Sequence, residues 1–349
     1  MKGIDNMSEN KFYGNKTFEF TGKLKSVDNI FKTTEGKNYV RLNLPLFDGE
    51  STVYCDSFTY GESDHIYMTL NSKWTQVAWS ERNSTATLNA MRYGDKFSYN
   101  EKQLSNSYDL IQSLKSDIES GKIKKDDVLK VEGNVELEFY KDTLKKKYTI
   151  KSIKPVGENS ELGFYVKQEV LVEPNGLKEV EDGFTLDVLM LEYMKLEGED
   201  KRNPRLVGET LAYPTTNPQV KMLIKRALSD IETYKAIHLK CKLERTAPEV
   251  EVKPLTDDQK LYIDLGFITE EEAVRENTVV SGEVIEKLTV LRPDVKKQYA
   301  KITFVPEVKS EWIKGLEPKV ESALGDSFFD GDALDGSDLD SFFGADLPF

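Results

Sequence analysis

The sequence predicts a mainly β chain with a few helices, built as two small Greek-key barrels in tandem and followed by a disordered acidic tail. Three observations carry that prediction. Apolar residues alternate at period two through most of the first third, and the period turns helical only in short stretches. The same order of strands, one helix, then strands is met twice. Beyond about Gly315 the composition collapses to Asp, Gly, Ser, Phe, Leu and Ala, too charged and too poor in apolar periodicity to fold alone. The expected division is a flexible lead over residues 1–16, a first barrel over 17–157, a second over 158–312 and the tail over 313–349.

Each element has its own signature. In TFEFTGKLKS, Phe18, Phe20 and Leu24 fall on one face and Lys23 and Lys25 on the other. YVRLNLPLF sets Val40, Leu42 and Leu44 against Tyr39, Arg41 and Asn43. STVYCDSFTY and KWTQVAWS are strand-like, dense in aromatic and β-branched residues. NSYDLIQSLKSDIESG changes period: Leu110, Ile111, Leu114 and Ile118 recur at helical spacing, with Gly121 as the C-terminal cap. DVLKVEGNVELEFYKDTLKKKYTIKSIKPV then reads as two long strands joined by a lysine-rich turn near Asp142–Lys146. This order matches the five-stranded OB-fold, whose helix between strands three and four plugs the barrel.

VKQEVLVEP and FTLDVLMLEYMKL begin the second pass. NPQVKMLIKRALSDIETY is a helix with Val220, Leu223, Ile224, Ala227, Leu228 and Ile231 on its apolar side, and AIHLKCKLERT is the strand after it. Ser116–Glu119 and Ser229–Glu232 spell the same four residues, each at a helix end just before a strand. The insertion from Thr246 to Asn277 is expected to hold short helices; TVVSGEVIEKLTVLRP and KKQYAKITFVPEV close the second barrel.

Composition bounds the function. The 349 residues are 38% hydrophobic and 31% charged, with a mean hydropathy of −0.52, which suits a water-soluble globular chain. No apolar run approaches the roughly 18 residues that span a bilayer, so no membrane role is expected. MKGIDNMSENKFYG has no apolar core of a secretory signal. Two distant cysteines, Cys55 and Cys241, suit free thiols in a reducing cytoplasm. There is no GxxxxGK[ST], no GxGxxG after a strand and no HExxH. His238 sits in a strand and reads as structural, and nothing near His65 forms a nucleophile–base pattern. The chain is therefore read as non-catalytic, with no cofactor and no metal.

Net charge is −13, but it is sorted. Seven aspartates and no Lys or Arg lie from Asp326 to Phe349, leaving −6 on residues 1–325. Between Phe139 and Lys154 six lysines face one acid. Such a ribbon can track a phosphate backbone while rings stack on bases; it can equally be a solvated hairpin whose lysines block edge pairing. The candidate nucleic-acid surface is Lys23, Lys25, Tyr39, Arg41, Tyr54, Phe58, Trp74, Trp79, Arg82, Tyr140, Lys141, Lys145, Lys146, Lys147 and Tyr148, all on the first barrel. Trp74 and Trp79, five apart, would face opposite sides of a regular strand, one core and one platform. Arg82 is expected as an exposed cation. Lys221, Lys225 and Arg226 read as the solvated face of the second helix.

The chain ends SFFGADLPF, and Asp326–Phe329 recurs as Asp340–Phe343. A terminal ring can enter an apolar pocket while its carboxylate and the aspartates meet a basic rim, and Pro348 limits the conformations given up. Asp346, Leu347, Pro348 and Phe349 resemble the C-terminal tip of bacterial-type single-stranded DNA-binding proteins, which stop at Asp-Leu-Pro-Phe or Asp-Ile-Pro-Phe after an acidic disordered tail. The resemblance implies a non-catalytic binder of single-stranded DNA in replication, recombination and repair. Its tip, Phe342, Phe343 and 346–349, would recruit partner enzymes. This chain departs from that family in having two barrels, about twice the usual length and a shorter acidic run before the tip. A large chain of this kind looks more like a tailed-bacteriophage protein acting in the host cytoplasm. The alternative is a β-barrel interaction scaffold or virion-associated protein with a DNA-mimicking tail; a homo-oligomer formed through an exposed strand edge stays open.

Overall fold

The computed structural model describes residues 12–293, apart from 34–37, 141–142, 196–198, 229–233 and scattered positions between 247 and 284. All of these belong to one compact unit, Met1–Leu316. The tail and its tip, Phe342, Phe343, Asp346, Leu347, Pro348 and Phe349, lie outside the described residues, as do KKQYAKITFVPEV, Lys141, Ile231 and the second Ser-Asp-Ile-Glu.

The first half contributes β1 (Lys16–Leu24), β2 (Phe31–Thr33), β3 (Tyr39–Phe47), β4 (Thr52–Tyr60), β5 (His65–Leu70), β6 (Lys73–Ala78), α1 (Thr85–Ala90), β7 (Phe97–Tyr99), β8 (Lys102–Leu104), α2 (Ser107–Glu119), β9 (Val128–Tyr140) and β10 (Thr143–Pro155). Alternation decides which side of each strand faces in. Phe18, Phe20 and Leu24 of β1 and Leu42, Leu44 and Leu46 of β3 are buried, each removal from water stabilising by about 1.5–3 kcal/mol. β1 pairs with β3, β3 with β4, β10 with β9 and β9 with β1, all antiparallel. A parallel pairing of β4 with β10 at Asp56 and Thr149 closes the ring. β9 and β10 approach so closely that a Cβ on Gly133 would stand 2.0 Å from the Thr149 carbonyl oxygen. α2 starts on Asn106, whose side chain accepts from the Asp109 N–H, and ends before Gly121 at φ +73°. Its Leu110, Ile111 and Leu114 are fully buried and plug the barrel.

The second half repeats the ring with β11 (Gly163–Val180), β12 (Gly183–Met194), β13 (Asn203–Pro214), α3 (Pro218–Leu228), β14 (Lys235–Thr246) and, after β15 (Glu249–Val252), α4 (Asp257–Asp264) and β16 (Thr278–Ser281), the closing β17 (Ile285–Pro293). β11, β12, β13, β17 and β14 pair in that order and back to β11, with β13 and β17 parallel at Ala212 and Thr289. Both rings thus have the strand order 1-2-3-5-4-1 with a helix between strands three and four, which is the OB topology. The expected short helix of the insertion is α4, opened by a reciprocal Thr256–Gln259 cap.

The barrels are joined through their first strands. β1 pairs antiparallel with β11 from Lys16–Gln168 to Thr21–Gly163. Phe20 and Phe164 stack at 4.7 Å across that seam, and Phe18 meets Phe164 edge-on at 5.6 Å. One apolar cluster consequently runs through both barrels.

Several expectations change. Residues 12–16, placed in the flexible lead, dock on the second barrel. Phe12 packs with Leu171, Leu191, Leu206 and Ala236, and the buried Lys16 ammonium donates to the Leu191 carbonyl at 2.6 Å and pairs with Glu192. α3 buries only Ile224 and Leu228, with Val220 partly packed; Leu223 and Ala227 face solvent. The lysine hairpin turns earlier than expected, because Thr143 and Leu144 already pair with Tyr140 and Phe139. β6 stops at Ala78, and Trp79 opens a one-turn helix in place of continuing the strand.

Candidate functional site

The outer face of β3 and β4 carries an unusual concentration of rings. Inward positions are taken by Leu42, Leu44, Val53 and Cys55, so the alternate residues must face out. Cross-strand pairing then sets Tyr39 beside Tyr60, Arg41 beside Phe58 and Asn43 beside Asp56, with Tyr54 further along. Tyr39 and Phe58 lie 5.4 Å apart, and Phe58 and Tyr60 meet edge-on at 5.6 Å. Phe58 is 47% exposed, Tyr60 73% and Tyr54 49%, so the row is open to a ligand. The Arg41 guanidinium is held at 3.0 Å from Asp56, and the Lys147 ammonium approaches the same carboxylate at 3.9 Å. Lys32 of β2 stands across from Arg41 and is exposed.

A second ring pair lies on the β5–β6 ribbon. Asn71 and Ser72 both have positive φ, the geometry of a two-residue hairpin turn. That turn fixes the register so that Tyr67 and Trp74 stack, 6.1 Å apart and 12° from parallel. Both are exposed, while Met68 and Val77 on the other side bury against Met91 in a small separate cluster.

The remaining candidates are placed as follows. Lys23 and Lys25 sit at the Phe47 end of β3, eight residues and about 25 Å from the Tyr39 end. Trp79 is half-buried, edge-on to Tyr108 at 5.4 Å. Neither Trp74 nor Trp79 enters the barrel core, because the strand breaks between them. Arg82 is not an exposed cation: it lies 4.2 Å over Trp79 and donates to both Asp109 carboxylate oxygens, at 2.7 and 3.0 Å. Its charge is spent on fixing the start of α2.

The hairpin also differs from a free basic ribbon. Tyr148 is 4% exposed and packs at 4.7 Å on Phe164, so it cannot stack on a base; burial raises its hydroxyl pKa. Lys146 points to the second barrel and pairs with Glu209 at 2.5 Å and Glu286 at 4.0 Å. Lys145 and Lys147 stand across from Glu138 and Glu136. Tyr140 pairs through its backbone with Thr143. Sequence reasoning missed Tyr60 and Tyr67. Tyr60 was legible, being in period-two phase with Tyr54 and Phe58; Tyr67 needs the hairpin register.

Among the described residues the second barrel has no such row; on its second and third strands Tyr193 alone is a largely exposed ring. Between Thr185 and Leu189 and between Gly208 and Ala212 no ring faces outward, and Asp187 is held by Lys178 and Thr210. His238 lies 3.6 Å from the buried Glu169. Among the described residues no group of three or more His, Cys, Asp or Glu is disposed to hold a metal ion, and no helix is long and apolar enough to cross a membrane.

No protein-family model matches the chain, and no curated protein matches it. Among solved structures it is similar to the wild-type single-stranded DNA binding protein from Thermus aquaticus, at 10% identity and a TM-score of 0.35, over 80% of this chain and 90% of that one. A deletion mutant of the same Thermus aquaticus protein matches at 11% identity and a TM-score of 0.34, over 80% of this chain and 92% of that one.

Proposed function

We propose that this chain binds single-stranded DNA without strong sequence preference, through the β3–β4 face and the β5–β6 ribbon. The observation that carries the reading is the open row of Tyr54, Phe58, Tyr60 and Tyr39 on strands two and three of an OB barrel, beside Arg41. Rings left this exposed are costly unless a partner covers them. Every base has a face that can stack on them, at about 1–3 kcal/mol each, and Arg41, Lys32 and Lys147 offer phosphate contacts. Stacking and phosphate contact discriminate little between sequences. The Asp346–Phe349 tip would recruit replication, recombination and repair enzymes to the bound strand. Two barrels with such an end fit a tailed-bacteriophage protein working in the host cytoplasm, with no reaction of its own.

Titration with oligo-dT should quench tryptophan emission, with affinity falling as salt rises. Phe58→Ala should weaken binding by about 1–3 kcal/mol. A protein that ignores oligo-dT in low salt overturns this reading and leaves the scaffold or virion role. Phe349→Ala should abolish capture of tip-binding enzymes while dT affinity stays unchanged; retained capture would remove the recruiting role.

A further inference from the structure

On the flank of the first barrel formed by β1, β9, β10 and β7 lies an open cleft of about 640 Å3. Five lysines line it, and four are committed. Lys130 and Lys167 flank Glu19 at 3.6 and 3.4 Å, Lys154 pairs with Glu101 at 2.5 Å, and Lys96 donates to the Gln103 amide oxygen at 3.1 Å. Lys151 differs. Its ammonium lies 4.0 Å over the Phe97 ring, and among the described residues it has no ion pair or hydrogen bond. A local irregularity puts it there: the β9–β10 register shifts between Ile150 and Ser152, so Ile150 and Ile153 both point into the core and Lys151 and Ser152 both line the cleft. Burial lowers its pKa despite Asp95 and Glu136 nearby, the condition of a cation short of an anion. At the rim stands Tyr93, 84% exposed.

The cleft and the ring face share one strand. β10 carries Lys147 beside Asp56, then Thr149 paired with Asp56, then Lys151, a run of about 13 Å. We infer that the cleft is a second contact for the same nucleic-acid strand, resting on the function proposed above. The backbone leaving the β3–β4 face follows β10 into the cleft, where a phosphate meets Lys151 and a base stacks on Tyr93. A free nucleotide offers the same phosphate and base, so the test must separate the two sources.

The full chain and its Lys151→Gln and Tyr93→Ala variants are titrated with dT of about 8 nucleotides, which one barrel face can hold, and of about 25, which it cannot. The expected result is unchanged affinity for the short oligomer and a loss of roughly tenfold for the long one. Lys151→Gln should also flatten the salt slope for the long oligomer by about 0.7. Tyr93 is a surface ring, so its variant reports on binding even if Lys151→Gln perturbs folding. Equal losses at both lengths, or none at either, overturn the inference. So does thymidine monophosphate that binds at micromolar concentration in a Lys151-dependent way, which would make the cleft a nucleotide site. Phe58→Ala should weaken both lengths; a wild-type protein that binds neither overturns the underlying function and the cleft's role with it.

Discussion

Asp56 puts a 7% exposed carboxylate in the middle of a face otherwise made of rings and cations. One of its oxygens faces both Arg41 and Lys147, and the other makes no hydrogen bond among the described residues. Burying an acid this way is costly unless it is paired. The Arg41 side chain is 53% exposed, so their bond adds little stability, about 0–1 kcal/mol. On the function proposed above, the carboxylate's larger effect would be on binding, because it would compete with a phosphate for the same two cations. Asp56→Asn keeps the shape and removes the competitor. It should tighten oligo-dT binding severalfold and steepen its salt dependence, measured by the same titration at two salt concentrations. Weaker binding would show instead that Asp56 earns its place by aiming Arg41.

At the scale of elements, periodicity was a good guide to what each segment is and a poor one to what covers it. The inward sets of β1, β3 and α2 were readable because alternation and helical spacing follow from backbone geometry alone. The β9–β10 hairpin was readable as a pair of strands, but its lysines and Tyr148 pointed to solvent only on the assumption that nothing stood opposite. A second barrel stands there, and it turns Lys146 and Tyr148 into a joint. No local pattern encodes that neighbour, nor the pairing of β1 with β11. The same gap explains α3, where Leu223 has the right phase for burial but is left exposed, with no partner to bury against among the described residues. For the ring face, Tyr39, Arg41, Tyr54 and Phe58 were legible, since one strand's alternation suffices. Arg82 was not, because Asp109 lies 27 residues away.

For the whole molecule, the continuous core has a measurable consequence. Cys55 lies in β4 and Cys241 in β14, one in each barrel, and both are free and buried. Burial pushes the Cys241 thiol up to about 12 and Cys55 higher still, so neither offers a thiolate near neutral pH while folded. Pulsed alkylation along a urea titration should label both with one midpoint, because Phe18, Phe20 and Phe164 tie the barrels into a single cooperative unit. Early labelling of Cys241 with Cys55 still protected would show that the barrels melt separately.

The β1–β11 seam joins equivalent strands of two like rings, the arrangement a two-fold pair of separate chains would use, but here inside one polypeptide. Dilution cannot part such halves. In a symmetric pair every substitution is written twice, and both copies must tolerate it. A fused pair is free of that constraint, so one ring can keep its aromatic surface while the other gives up its own and becomes a brace. The stoichiometry is then set by the chain itself: one aromatic face for each polypeptide.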